Sequence, residues 1–414
     1  MTNPTISVAI IAYNEAERLM DTLKSVQGLA DQIVIGIDTR TDDETRQIAR
    51  TFEAEVFELE WKDDFAGARN QCIDRCTGDW IFMLDGHEVL AMSWQTPKEG
   101  VKIVSMIFGN GETENYYCNN PCEFIKPILS KAPDNIDLYS IQVDMQPFMG
   151  ELPLYSFMQS KIFRNKPEIR YTNKVHAFIG RESVPADRRS HIPDVACKHL
   201  PSVKKTEVAE KRHKNINMPS FKEQIPEIKD VYGLLELRML YQYANALFSI
   251  GDKDKAVEML QKHRKACLSN TSHNEPINHG EYFSVLLSLA DYYRQNGMNN
   301  FSYLYAMQAH TLMTDRAEPL VALGMCCMNT GDHERAKTHF KQAIDLDVPE
   351  CPIGMVRVAD YTWRPLMGMA VCEANLENIG EAARCAEAVL KYDPDNKTAK
   401  EIVSKHDERE KVTV

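Results

Sequence analysis

The chain has 414 residues, enough for two or three domains, and 43% hydrophobic with 26% charged residues is the make-up of a globular protein with a normal core. A formal net charge of −12 argues against a surface that binds nucleic acid as a whole, and no apolar run approaches the roughly 20 residues that span a bilayer. The opening MTNPTISVAIIAYNE has no basic segment, so no signal peptide is expected, and eleven scattered cysteines suit reduced thiols in the cytoplasm.

Strand and helix signals alternate through the first 90 residues. Ile6–Ala12 is a continuous apolar run rich in β-branched residues, as a buried parallel strand requires. A helical segment follows over Glu17–Val26, then a strand at Gln32–Ile37, a helix at Thr41–Phe52 and a short strand at Val56–Leu59. Phe65–Cys76 reads as a helix and Trp80–Leu84 as a fourth strand. This order predicts right-handed crossovers and a doubly wound parallel sheet, with ligands outside the carboxyl ends of the strands. The polar residues there are Tyr13, Asn14, Glu15, Asp38, Thr39, Asp85, His87 and Glu88.

Further strands are expected at Asp137–Met145, Ser160–Arg164 and Ile169–Tyr171, and a basic helix at Ser202–Asn215. Lys161–Lys214 holds 14 Lys/Arg against 6 Asp/Glu, so the rest of the chain carries about −20. Such a strip is either a solvated face or a surface for phosphates. The CxxxC pairs Cys72/Cys76 and Cys118/Cys122 read as core thiols rather than metal knuckles.

From Tyr232 onward only helical patterns remain. Gly297 and Gly331 mark equivalent turns 34 residues apart, the period of the tetratricopeptide repeat (TPR), with a further unit turning at Gly251 and a last one ending at Asp393-Pro394. Such hairpins must stack to bury their apolar faces. The expected layout is a catalytic domain over 1–215, a linker over 216–230 and a TPR-like helical repeat domain over 231–414.

Asp85-Gly86-His87-Glu88 follows the apolar strand WIFML and puts a carboxylate and an imidazole two residues apart at a strand end, an arrangement that either binds a divalent ion or is a plain Asp-Gly turn. Four blocks, SVAIIAYNEAERLMDTLKSV, IVIGIDTRTDDET, WKDDFAGARNQCIDRCTGDWIFMLDGHE and KIFRNKPEIRYTNKVHAFI, resemble the family 2 glycosyltransferases and their GT-A relatives. The resemblance implies a Rossmann-like GT-A nucleotide-diphospho-sugar transferase fold and a nucleotide-sugar donor, by default a UDP-sugar. It assigns Ala12, Tyr13 and Glu15 to the loop around the nucleotide, Asp38 to the base, Asp64 and Arg69 to the same pocket with Arg69 facing the diphosphate, and Asp85 to the DxD element. His87 replaces the second acid of that element. The form Asp-x-His resembles mucin-type polypeptide N-acetylgalactosaminyltransferases, which implies a Mn2+ or Mg2+ site completed by a distant histidine. His199 is favoured for that place; His176 competes, in NKVHAF, where Ala177 replaces the glutamate of the family's VHE element. If the reaction inverts, the candidate bases are Asp144, Glu151 and Glu88.

The repeats suit a macromolecular acceptor. A GT-A domain with such a tail resembles bacterial peptide S-glycosyltransferases and transferases of phage and bacteria, so a peptide or protein, a surface glycan and a hydroxymethylated pyrimidine in phage DNA are the acceptors considered. The tail could equally build a homodimer. The competing function is a catalytically decayed domain acting as a TPR scaffold, prompted by the missing second acid and the missing VHE glutamate.

Overall fold

Four parallel strands in succession, three of them buried, carry the first 85 residues. The computed structural model describes residues 4–95, 103–107, 113–117, 120–149, 152–200, 234–272, 278–349 and 352–413. They fall into two units, Met1–Gln146 with Phe157–Arg212, and Pro147–Ser156 with His213–Val414. The expected helix at Ser202–Asn215 and the linker over 216–230 lie outside the described residues.

In the first unit β1 (Ile6–Ala12), β2 (Gln32–Asp38), β3 (Glu55–Leu59) and β4 (Trp80–Asp85) alternate with α1 (Leu19–Ser25), α2 (Thr45–Arg50) and α3 (Phe65–Ile73). The strands pair in parallel in the order β3-β2-β1-β4. β1, β2 and β4 lack an alternating pattern because helices cover both faces, whereas the edge strand β3 exposes Glu55 and Glu58. Leu19 and Leu23 of α1 pack with Val8, Ile10 and Phe82 on one side, and Cys72 and Ile73 of α3 with Ala9, Ile81 and Met83 on the other. Asp64 caps α3, its carboxylate accepting the Gly67 N–H at 2.9 Å, an interaction worth about 1 kcal/mol.

The middle of the chain adds four strands to the sheet and two separate strand pairs beside it, not all of them expected. β5 (Glu88–Met92), the hairpin β6 (Ile103–Ile107) and β7 (Thr113–Tyr117), and α4 (Pro121–Ser130) precede the long strands β8 (Leu138–Met149) and β9 (Leu152–Arg164). Short β10 (Tyr171–Thr172) and β11 (Phe178–Ile179) pair with each other, and β12 (Arg189–His199) ends the unit's described part. The full order is β3-β2-β1-β4-β9-β8-β12-β5, mixed rather than all parallel: β9 runs antiparallel to β4, and β5 antiparallel to β12. This is a GT-A-like mixed sheet.

The second unit is helical. Four hairpins follow one another: α5 (Leu234–Ser249) with α6 (Lys253–Ser272), α7 (His279–Gln295) with α8 (Asn299–Leu312), α9 (Ala317–Asn329) with α10 (His333–Ile344), and α11 (Trp363–Asn375) with α12 (Ile379–Leu390); α13 (Lys397–Thr413) closes the array. The turn residues Gly251, Gly297 and Gly331 all take positive φ, from 72° to 84°, which favours glycine. Between α10 and α11 the period is broken by an insertion carrying β13 (Val356–Arg357). β13 pairs antiparallel with Tyr155 and Ser156, so the tip of the β8–β9 hairpin belongs to the helical unit.

Candidate active site

The turn Asp85-Gly86-His87-Glu88 joins β4 to β5 at the carboxyl edge of the parallel strands. Because β5 pairs with β12 in the register Glu88↔His199, the far end of β12 is delivered to the same turn, and the Leu200 N–H donates to the His87 carbonyl at 2.8 Å. The His87 and His199 rings stand edge-to-face with centroids 5.0 Å apart. Gly86 is closely surrounded: a Cβ there would lie 3.0 Å from Glu15 Cγ and 3.4 Å from Ala12 Cβ.

Each imidazole has one nitrogen tied to a carboxylate. His87 Nδ1 is 3.1 Å from Glu15 Oε1, and His199 Nε2 is 2.9 Å from Glu88 Oε1. Glu15 is steadied by an ion pair with Arg18. A carboxylate accepting one ring N–H fixes the tautomer and leaves the other nitrogen, His87 Nε2 or His199 Nδ1, as a lone-pair donor. Two such imidazoles beside the Asp85 carboxylate suit a divalent ion in donor chemistry. Among the described residues, no three His, Cys, Asp or Glu side chains already surround one point.

Two cations balance the buried acids. Arg69 Nη2 meets Asp85 Oδ1 at 2.5 Å, and its guanidinium lies 5.4 Å from the centre of the Tyr171 ring. Lys161 Nζ donates to both oxygens of Glu88, at 2.8 and 2.6 Å, and the Asp85 N–H donates to Glu88 Oε2 at 2.8 Å. Burial alone would push both carboxyl groups up. The charges of Arg69 and Lys161 hold Asp85 well below the usual carboxylate range, and Lys161 does the same for Glu88. Lys161, which burial would discharge, is kept protonated by Glu88 and Asp85.

At the end of β2 the Asp38 carboxylate is almost wholly buried and grasped by Arg40, whose Nε and Nη2 donate to it at 3.0 and 2.6 Å and whose backbone N–H donates at 2.9 Å. These bonds outweigh burial and hold Asp38 below its ordinary range. The same guanidinium stands 5.3 Å from the centre of the exposed Tyr13 ring.

The structure thus brings Ala12, Glu15, Asp85, His87, Glu88, Arg69 and His199 together, with Tyr13 and Asp38 at the neighbouring strand ends. His176 is exposed at φ 51° on the β10–β11 turn. Asp144 is fully buried on β8, with Gln142 Nε2 donating to it at 2.7 Å. Glu88, also expected as a candidate base, has both oxygens engaged inside the protein. Glu151 lies outside the described residues. Sequence reasoning overlooked Lys161, Arg18, Arg40 and Tyr171. Lys161 had one visible signal: it is the charged residue opening KIFR, a segment otherwise read as strand.

Five of the 14 cations of the basic strip pair with acids of the first unit, and five others, from Lys204 to Lys214, lie outside the described residues. Lys161 pairs with Glu88; Arg164, Lys166 and Arg188 converge on Asp137; Arg170 pairs with Asp74. Nine cysteines are described, all buried and none in a disulfide with another described cysteine, Cys72, Cys76 and Cys122 among them; Cys118 lies outside the described residues. No helix of the described residues is long and apolar enough to cross a membrane.

Comparison with known proteins agrees with this architecture. Residues 7–97 match the model of glycosyl transferase family 2, and residues 237–262 and 317–347 match that of the tetratricopeptide repeat. A TPR repeat-containing protein of Synechococcus elongatus is 29% identical over 175 residues, 42% of this chain and 35% of the relative. The SPbeta prophage-derived glycosyltransferase SunS of Bacillus subtilis is 25% identical over 175 residues, 42% of this chain and 34% of the relative. An uncharacterized glycosyltransferase of Rickettsia prowazekii is 30% identical over 90 residues, 22% of this chain and 30% of the relative. The chain spans about a third of the length of these curated relatives. The chain thus carries a GT-A-like mixed sheet whose first part, residues 7–97, is similar to glycosyl transferase family 2, followed by helical hairpins similar to tetratricopeptide repeats.

Proposed function

We propose that the chain transfers a sugar from a nucleotide-sugar donor, a UDP-sugar by family default, to a macromolecular acceptor, using a divalent ion held by Asp85, His87 and His199. The observation that carries this reading is the pairing of the two imidazoles, each anchored through one nitrogen by a carboxylate and each with the other nitrogen left as a lone-pair donor. Mn2+ or Mg2+ at these donors supplies Lewis-acid stabilisation of the departing nucleoside diphosphate. Arg69, a buried permanent cation beside Asp85, supports the same developing charge. Glu15 and Glu88 orient the histidines, and Lys161 keeps Glu88 ionised. In this reading Glu88 and Asp144 hold the site together and do not take the acceptor's proton. A protein or peptide acceptor is preferred to DNA, because the net charge is −12 and Lys161, Arg164, Lys166, Arg170 and Arg188 are already paired with acids of the chain.

Calorimetric titration of UDP with and without Mn2+ tests this reading. Binding that depends on Mn2+ and is lost in His87→Ala supports it. A second reading, a decayed domain serving as a TPR scaffold, draws on the Arg69–Asp85 pair and on the lack of three converged donors among the described residues. Failure of every nucleoside diphosphate to bind, with or without metal, would favour that reading.

A further inference from the structure

We propose that the first helices of the repeat array form a site for an extended, arginine-bearing peptide, and that the chain's own segment 352–362 fills this site in cis. The site lies within the helical unit and does not depend on the transferase reading.

The receiving side comes from α7, α9 and α11, the first helices of three successive hairpins. Arg316, at the start of α9, is 2% exposed, lies 4.7 Å from the centre of the Phe283 ring of α7 and pairs with Glu318, itself 1% exposed. These two side chains hold main chain. Arg316 Nη1 donates to the Ile353 carbonyl at 3.0 Å and Nη2 to the Met355 carbonyl at 2.7 Å, while Glu318 Oε1 accepts the Arg357 N–H at 3.1 Å. Two carbonyls and an N–H on alternate residues are one edge of an extended peptide, a sequence of acceptors and donors that phosphates and lipid headgroups do not present. The other edge is held too, since Val356 and Arg357 pair antiparallel with Ser156 and Tyr155.

One side chain of the segment is read as well. Arg357 Nη1 donates to Asp291 of α7 at 2.9 Å and its Nε to Asp360 at 2.7 Å, and Asp360 in turn pairs with Arg364 of α11. The occupant is separate from its receiver. It lies between α10 and α11, outside every helical hairpin. It bends at Gly354, φ 83°, whose nitrogen would lie 2.8 Å from a Cβ on Gly280 of α7, and it leaves Ile353 63% and Met355 40% exposed. Without an occupant, a buried guanidinium would face no carbonyl, which costs the desolvation of each stranded donor. The site therefore calls for an extended chain, whether its own or a partner's, and a partner enters by displacing the segment.

The test is fluorescence anisotropy of a dye-bearing synthetic peptide, PIGMVRVADYT, titrated with the full chain as wild type and as Arg357→Ala. The wild type is expected to bind it weakly, because the site is filled. Arg357→Ala, whose own segment has lost its hold on Asp291, should bind at least about 100-fold tighter. The same peptide with alanine in place of arginine should lose that gain, and adding Asp291→Asn to the variant should abolish the preference for arginine. Absence of binding by a folded Arg357→Ala would overturn the proposal. Equal binding by wild type and variant, or equal binding of the two peptides, would overturn it too. If Arg357→Ala does not fold, hydrogen exchange in the wild type decides: the Arg357 amide should exchange at least about 100-fold faster than the amides of α9. Equal protection would make the segment an inseparable part of the core and overturn the proposal.

Discussion

Lys161 Nζ sits within 2.8 Å of both carboxylate oxygens of Glu88, and neither side chain is more than 3% exposed. Glu88 also receives the Asp85 N–H and faces His199, so the pair links the Asp85–Glu88 turn to β9 and β12. Removing one partner strands a buried charge. Lys161→Met is expected to lower stability by about 3–5 kcal/mol in urea unfolding, and Lys161→Met with Glu88→Leu to recover most of that loss. A single-variant loss under about 1 kcal/mol would mean that Glu88 protonates or rehydrates at little cost.

Glu15 stands behind His87 as Glu88 stands behind His199. Under the proposed function, Glu15→Gln should weaken Mn2+ binding by about 10–100-fold, because the orientation and basicity of His87 both suffer. Electron paramagnetic resonance of free Mn2+ during titration reads this directly. Equal affinity in the variant would show that the Glu15–His87 bond has no part in metal binding.

The helical unit carries an acid-sensitive position. His263 on α6 is 1% exposed, its Nδ1 lies 3.5 Å from Cys267 Sγ, and its buried Nε2 has no hydrogen-bond partner among the described residues. Burial lowers its pKa from 6.5 to about 4. The unfolded chain therefore takes up the proton first as pH falls. The neutral histidine's contribution is complete above pH 6.5 and is lost progressively towards pH 4, a change of about 3 kcal/mol. His263→Leu should flatten that part of the stability–pH curve; an unchanged slope would assign the acid sensitivity to other groups.

Legibility in the sequence followed how each element is buried. β1, β2 and β4 are covered on both faces, so their unbroken apolar runs were readable, and residues at their carboxyl ends entered the site. β5 was missed because Asp85-Gly86 has the chemistry of a turn running into a loop, whereas EVLAM returns at once to pair with β12. α4 was missed although Asn120 caps it and Pro121 opens it; Pro127, inside the helix, argues against one locally. Lys161 could not be assigned from sequence, because its partner lies 73 positions away. The repeats were readable from their glycines, but the insertion with β13 carries no periodic signal.

Phe340 of α10 fills a slot cut by two glycines. A Cβ on Gly324 would come within 2.6 Å of Phe340 Cε1, and one on Gly368 within 2.5 Å of Cε2. The ring is 1% exposed and has little room to retreat. Gly324→Ala and Gly368→Ala should each cost about 1–3 kcal/mol, read as a fall in Tm. Adding Phe340→Leu to Gly324→Ala should recover part of the loss. A stabilised Gly324→Ala would show that the helices shift apart freely.

The strand at the tip of the β8–β9 hairpin bears on how this gene can be cut and recombined. Tyr155 and Ser156 find their ladder partners at Arg357 and Val356, roughly 200 positions downstream. A stop codon at the apparent boundary would remove those partners while leaving the strand behind, with an open edge prone to aggregation. Transplanting the repeats onto another α/β domain would likewise require moving two separate pieces of coding sequence. The repeats are thus an interleaved part of the reading frame rather than a cassette appended at one junction.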